Sequence, residues 1–193
     1  MIKCLPMILA FTSIVCFSDD PVITQDKGKY TVSTQAYSVA IDPDGKIKSL
    51  KAGDIEFISK AGCYLYADNK GLGFGKVTSP GGGVLSIEGD KTAMGLSFKS
   101  DEITWSVKNK TLQTFTLVLV FAKEVSAFRN ENGEYFRTPI VMSLKQSAWF
   151  RGEACVEMDS PFATRGPWGE GWQVLTVTVT SQETRKIGFK IRK

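Results

Sequence analysis

Residues 94–107 read Met94-Gly-Leu-Ser-Phe-Lys-Ser-Asp-Glu-Ile-Thr-Trp-Ser-Val107. Met94, Leu96 and Phe98 alternate with Gly95, Ser97 and Lys99; after a polar break, Ile103, Trp105 and Val107 alternate with Thr104, Ser106 and Lys108. Successive side chains of an extended chain point to opposite faces, so a period of two makes two strands, each with one buried and one wet face. Trp105 shares the apolar face of Ile103 and Val107 and is therefore expected in the core.

The same period runs outward in both directions. Tyr37, Val39 and Ile41 alternate with Ser38, Ala40 and Asp42, and Asp44-Gly45 turns the chain into Lys46–Leu50. Phe115, Leu117, Leu119 and Phe121 form one face of a long strand, and Val118 with Val120 makes its far end apolar on both sides, which predicts a central place in a sheet. Leu175, Val177 and Val179 oppose Thr176, Thr178 and Thr180; Ile187, Phe189 and Ile191 oppose Gly188, Lys190 and Arg192. Only Ala122–Arg129 offers helical spacing, through Val125 and Phe128, enough for about two turns. The expectation is an all-β fold, an antiparallel β-sandwich with little helix. Gly81-Gly82-Gly83 after Pro80 reads as an interstrand loop, and Gly71-Leu72-Gly73-Phe74-Gly75 lacks the following helix that a nucleotide fingerprint needs.

The chain has 193 residues, 42% hydrophobic and 23% charged, which is the composition of an ordinary globular domain. Histidine is absent. That excludes Ser-His-Asp and Cys-His nucleophile systems, His-ligated zinc and imidazole acid–base pairs. No cofactor or metal is expected.

Residues 1–18 read as a secretory signal peptide, with Lys3 as the positive n-region, an apolar stretch from Leu5 to Val15, and cleavage after Ser18. The stretch is too short to span a bilayer. Cys16 opens a rival reading, a lipoprotein anchored through that residue. Residues 19–28 are expected to be a flexible lead-in and 29–193 a single sandwich domain, secreted or periplasmic. Without residues 1–18 the chain keeps 23 basic and 20 acidic residues, interspersed in sign. Such a balance makes nucleic acid a poor partner. Cys63 and Cys155 could pair in an oxidising compartment, closing a loop of about 92 residues, or could sit apart as buried thiols.

Tyr37-Ser-Val-Ala-Ile-Asp-Pro-Asp-Gly-Lys-Ile-Lys-Ser-Leu-Lys-Ala-Gly-Asp-Ile-Glu-Phe57 resembles the opening hairpins of galactose-mutarotase-like domains. The shared pattern is a strand, an Asp-Gly turn, a strand ending in Ser-Leu, and a short strand on an apolar-acidic-aromatic run. The resemblance implies a large antiparallel supersandwich, found in sugar epimerases and in the non-catalytic or lyase modules of polysaccharide-active enzymes. Two departures stand beside it. About 175 residues remain after the leader, fewer than a full supersandwich has, and the acid–base histidines of the mutarotases have no counterpart. The resemblance therefore implies a sugar-related sandwich and carries over no catalytic residue.

Without histidine, a glycoside could be cleaved by a carboxylate pair, and Glu131, Glu134, Asp159 and Glu170 lie in loop-like context. A lyase could use Tyr135 as base with Arg137 or Arg165. Asp42 and Asp44 could contribute to a calcium site or simply form the hairpin turn. The most distinctive stretch is Ser160-Pro-Phe-Ala-Thr-Arg-Gly-Pro-Trp-Gly-Glu-Gly-Trp172. Its two prolines and three glycines predict a loop rather than a helix or paired strand. Trp168 and Trp172 could stack on the apolar face of a sugar ring, and Arg165 and Glu170 could bond its hydroxyl or carboxylate groups. Alternatively, Trp172 plugs the end of the core.

The sequence thus predicts an exported non-enzymatic binding module, with a glycan as the most favoured ligand. The alternatives are a carbohydrate-active enzyme, a polysaccharide lyase or hydrolase working through carboxylates or Tyr/Arg, and a structural or assembly protein of the cell envelope.

Overall fold

The computed structural model describes residues 20–67, 70–138, 141–168 and 172–193, and the side chains of all these except 160, 165–168 and 172. The expected leader falls outside the described residues. An antiparallel meander comes first: β1 (Val22–Asp26), β2 (Lys29–Ser33), β3 (Tyr37–Ile41), β4 (Ile47–Ala52) and the short β5 (Ile55–Glu56). β1 lies inside the stretch read as a flexible lead-in, yet it pairs with β2 from Val22 opposite Ser33 to Asp26 opposite Lys29, so the sheet begins before residue 29. The β3–β4 turn closes with the Gly45 amide donating to the Asp42 carbonyl at 2.9 Å. Gly45 has φ of +84°, and a Cβ there would stand 2.6 Å from the Ile87 side chain, so backbone conformation and space both require glycine.

Thirteen strands form the second sheet: β6 (Ile58–Ala67), β7 (Lys70–Leu72), β8 (Lys76–Gly81), β9 (Val84–Glu88), β10 (Thr92–Phe98), β11 (Glu102–Asn109), β12 (Phe115–Phe121), β13 (Ala127–Asn130), β14 (Tyr135–Arg137), β15 (Met142–Arg151), β16 (Ala154–Trp168), β17 (Trp172–Val179) and β18 (Thr184–Arg192). Every pairing is antiparallel. No described residue is helical, and the fold is the expected all-β sandwich.

The fifteen-residue β16 organises this sheet. One of its edges pairs with β15 over most of its length. The other pairs with β18 from Cys155 to Asp159, then with β17 from Ala163 onward. The sheet therefore divides at β16 into two leaves, β7-β6-β12-β17 and β18-β11-β10-β9-β8. Their apolar faces and that of the meander meet in one core, which takes Leu65, Leu117 and Leu175 from the first leaf, Leu96, Trp105 and Phe189 from the second, and Val39, Ile41 and Leu50 from the meander. Tyr37 ties the layers, its hydroxyl donating to the Lys99 carbonyl at 2.7 Å. β12 lies between β6 and β17, and Val118 and Val120 are buried on its far face with Val174, as their sequence predicts.

Two local expectations are corrected. Ala122–Arg129 is not a helix: a turn with the Val125 amide on the Ala122 carbonyl at 3.0 Å leads into β13. Val125 and Phe128 are both buried, so their spacing reflects two plugs on either side of a bend rather than a helical face. Nor is 160–168 a loop. Pro161 falls in the gap between the last pairing with β18, at Asp159, and the first with β17, at Ala163. Opposite β15 the register shifts between Leu144 and Gln146 at the same place. A bulge at a change of partner has no use for the missing N–H, which is where a strand tolerates proline.

Cys63 and Cys155 are free thiols. Cys63 faces the core from β6, where its sulfur accepts the Ile47 amide at 3.1 Å. On β16 it is Ala154, Val156 and Met158 that face the core, which sends Cys155 to the opposite face. With β12 and β17 between their strands and their side chains on opposite faces, the two sulfurs do not form the disulfide considered from the sequence.

Candidate ligand groove

The outer face of β11, β18, β16, β15 and β13 carries a groove of about 610 Å³. Strand register builds it. In one row across the sheet, Glu102 stands opposite Lys190, Lys190 opposite Glu157, Glu157 opposite Ala148, and Ala148 opposite Arg129. In the next row Thr104 stands opposite Gly188, Gly188 opposite Asp159, and Asp159 opposite Gln146. Cross-strand partners share a face, so these polar side chains converge where alternation alone would scatter them. Gly188 and Ala148 are short, which leaves the depression between their longer neighbours. Glu131 and Gly133, from the β13–β14 turn, complete the lining.

The charges along the groove are interlocked. Lys190 lies 3.6 Å from Glu102 and 3.5 Å from Asp101. Glu157 receives Arg192 at 3.2 Å and Arg129 at 4.0 Å. The Gln146 side-chain amide donates to Asp159 at 3.0 Å. Four carboxylates, Glu102, Glu131, Glu157 and Asp159, line the groove with two cations, Arg129 and Lys190. The lining is thus net negative although the whole chain is net positive at +4. Cys155 sits on the same face, next to Glu157 in sequence, and burial, reinforced by the Glu157 charge, pushes its thiol up to about 11.

The sequence candidates distribute unevenly over this site. Asp159 and Glu131 belong to it. Glu134 instead accepts the Asn130 side-chain amide at 2.7 Å within the β13–β14 turn. Tyr135 and Arg137 lie on β14, Tyr135 opposite Arg129 at the end of the first row and Arg137 opposite Ala127. Asp44 accepts the Lys46 amide at 3.2 Å in the β3–β4 turn, and no group of three Asp, Glu or Cys side chains among the described residues is placed to hold a metal. Arg165 is paired with Val174, and Trp168 with Trp172, at the β16–β17 end. The side chains of Arg165, Trp168 and Trp172, and the whole of Glu170, lie outside the described residues. Glu102, Arg129, Gln146, Glu157 and Lys190 were missed from the sequence. Each is an ordinary polar position of an alternating strand, and only register reveals that their wet faces are one surface.

No protein-family model matches the chain, and no curated protein matches it in sequence. Solved structures do. A protein of Escherichia coli K12 described as an aldose 1-epimerase aligns with 85% of this chain and 98% of its own, at 10% identity and a TM-score of 0.50. The YidC insertase aligns with 91% of this chain at 14% identity and a TM-score of 0.61, over 42% of its own length. The 4-alpha-glucanotransferase of Thermococcus litoralis aligns with 91% of this chain at 8% identity and a TM-score of 0.53, over 40% of its own length. At these identities the likeness is one of fold. The chain has a galactose-mutarotase-like β-sandwich, as its opening hairpins suggested.

Proposed function

We propose that the chain is an exported, non-enzymatic binding module for a glycan, held in the groove across β11, β18, β16, β15 and β13. The observation that carries this reading is the register-built groove. Its volume of about 610 Å³ lies in the range of small-ligand sites, ~300–1,000 Å³. Its walls offer amide, carboxylate, ammonium and guanidinium groups, which match the paired donors and acceptors of sugar hydroxyls. The fold shared with a protein described as an aldose 1-epimerase and with a 4-alpha-glucanotransferase supports a sugar as ligand. Arg165, Trp168, Glu170 and Trp172, the candidates from the sequence, are proposed as a second contact. Residues 1–18 would direct the chain to the periplasm or beyond, without a membrane span.

The test is a glycan array with protein beginning at Asp19, run beside a reducing-sugar release assay on the polysaccharides that bind. Binding without release, weakened by Gln146→Ala, supports the reading. Release of reducing ends would replace it with a polysaccharide hydrolase or lyase.

An assembly role in the cell envelope is a second reading, favoured by the fold shared with the YidC insertase at a TM-score of 0.61. On that reading the array is blank and the groove face binds a protein.

A further inference from the structure

The first cross-strand row does not stop at Arg129. Across β13 and β14, Arg129 stands directly opposite Tyr135, so the row runs Glu102, Lys190, Glu157, Ala148, Arg129, Tyr135 on one face of the sheet. Tyr135 closes that row. It is 67% exposed, whereas most aromatic side chains of the described residues are buried. Its ring is nonetheless held from two sides. The Arg129 guanidinium lies 5.9 Å from the ring centroid, and the Phe150 ring lies 5.8 Å away at 34°. Arg129 is in turn drawn toward Glu157 inside the groove. A large apolar ring that is both exposed and fixed has lost little of its contact area and most of its conformational freedom. That combination suits a stacking surface.

We infer that Tyr135 is the stacking platform at the end of the groove, receiving the C–H face of a pyranose ring whose hydroxyls reach Arg129 and the groove beyond. The inference rests on the glycan reading above and adds the specificity-determining residue and the class of sugar. Along the groove itself four carboxylates stand against two cations, which disfavours a ligand carrying uronic acids there, because further carboxylates would be brought against like charge in a partly desolvated site. The ligand is a neutral pyranose oligosaccharide.

The experiment is calorimetric titration of wild type, Tyr135→Ala, Tyr135→Phe and Gln146→Ala with a neutral oligosaccharide that binds on the array, and with a uronic-acid oligosaccharide of equal length. The expected result is a loss of roughly tenfold or more in affinity for Tyr135→Ala, the scale of one lost aromatic anchor. Tyr135→Phe should hold near wild type, and the uronic-acid ligand should bind more weakly than the neutral one throughout. Thermal melts of Tyr135→Ala should match wild type, because the ring is mostly in solvent. Wild-type affinity in Tyr135→Ala while Gln146→Ala loses binding would overturn the platform and leave the groove standing. Preference for the uronic-acid ligand would overturn the sugar class, and no binding by wild type would remove the glycan reading and this inference together.

Discussion

The side-chain nitrogen of Asn109 donates to the carbonyl of Val179 at 3.2 Å, joining the end of β11 to the end of β17 across seventy residues. The same nitrogen reaches the carbonyls of Gln113 at 2.7 Å and Thr180 at 3.0 Å, and the side-chain oxygen accepts the Thr111 amide and hydroxyl, each at 2.9 Å. Asn109 is fully buried. One amide thus gathers backbone groups at the end of β17 and in the turns that follow β11 and β17.

Asn109→Ala should therefore cost about 1–3 kcal/mol, since the buried Val179 carbonyl loses this donor, while the Thr180 and Gln113 carbonyls keep the Glu183 amide and the Thr111 hydroxyl. Asn109→Asp keeps the size and the acceptor but turns a carboxylate oxygen toward three carbonyls, and should cost at least as much. Urea unfolding of the three proteins checks both. A loss below about 1 kcal/mol for either would mean that water replaces the amide.

Cys63 gives a pH dependence with a definite sign. Burial dominates and pushes its thiol up to about 12, with the Ile47 amide opposing. From about pH 9 the unfolded chain releases this proton while the folded chain keeps it, so stability is full below about pH 9 and falls as pH rises toward 12. Unfolding free energies measured across that range should decline, and Cys63→Ala should decline less steeply. At pH 8, protein beginning at Asp19 should react slowly with iodoacetamide when native and take two labels per chain in denaturant. Absence of labels in denaturant would show a bridged pair.

Trp105 and Trp149 are equally buried and should respond differently to Phe. The Trp149 indole nitrogen donates to the Ser147 hydroxyl at 2.5 Å, and its ring stacks on Phe128 at 4.6 Å. The Trp105 indole nitrogen has no hydrogen-bond partner among the described residues. Trp105→Phe removes an unsatisfied donor along with some volume, and the two effects offset; Trp149→Phe strands the buried Ser147 hydroxyl and weakens the stack. The second substitution should lower the melting temperature clearly more than the first. The reverse order would show that volume outweighs hydrogen bonding at these sites.

How much of this was legible in the sequence depends on whether one strand or several decide the answer. Met94–Val107 specifies its own strands, because alternation is a property of a single segment, and Val118 with Val120 reveals a central strand for the same reason. Cys155 was harder. Apolar neighbours on both sides suggested the core, and only the phase of Ala154, Val156 and Met158 places it on the other face. Pro161 could not be read as part of a strand, since its tolerance depends on β16 exchanging β18 for β17 at that point. The groove was least legible of all. Glu157 and Asp159 are adjacent wet positions on one strand, and nothing local says that Lys190, Gly188 and Gln146 stand beside them.

Gly188 offers a way to fill that groove without disturbing what holds it. It lies in β18 between Thr104 and Asp159, and a Cβ there would meet Asp159 at 3.7 Å, an ordinary contact. Its backbone is not left-handed, so L side chains fit the strand. Gly188→Ala should be neutral or slightly stabilising, because it removes the entropic disadvantage of glycine within a strand. Gly188→Phe projects a ring into the groove and should reduce glycan binding by roughly tenfold or more while the melting temperature stays near wild type. The two variants share a position and differ only in how much of the groove they occupy. Equal glycan affinity in both would show that the ligand binds elsewhere on the molecule, with the β16–β17 end the next surface to mutate.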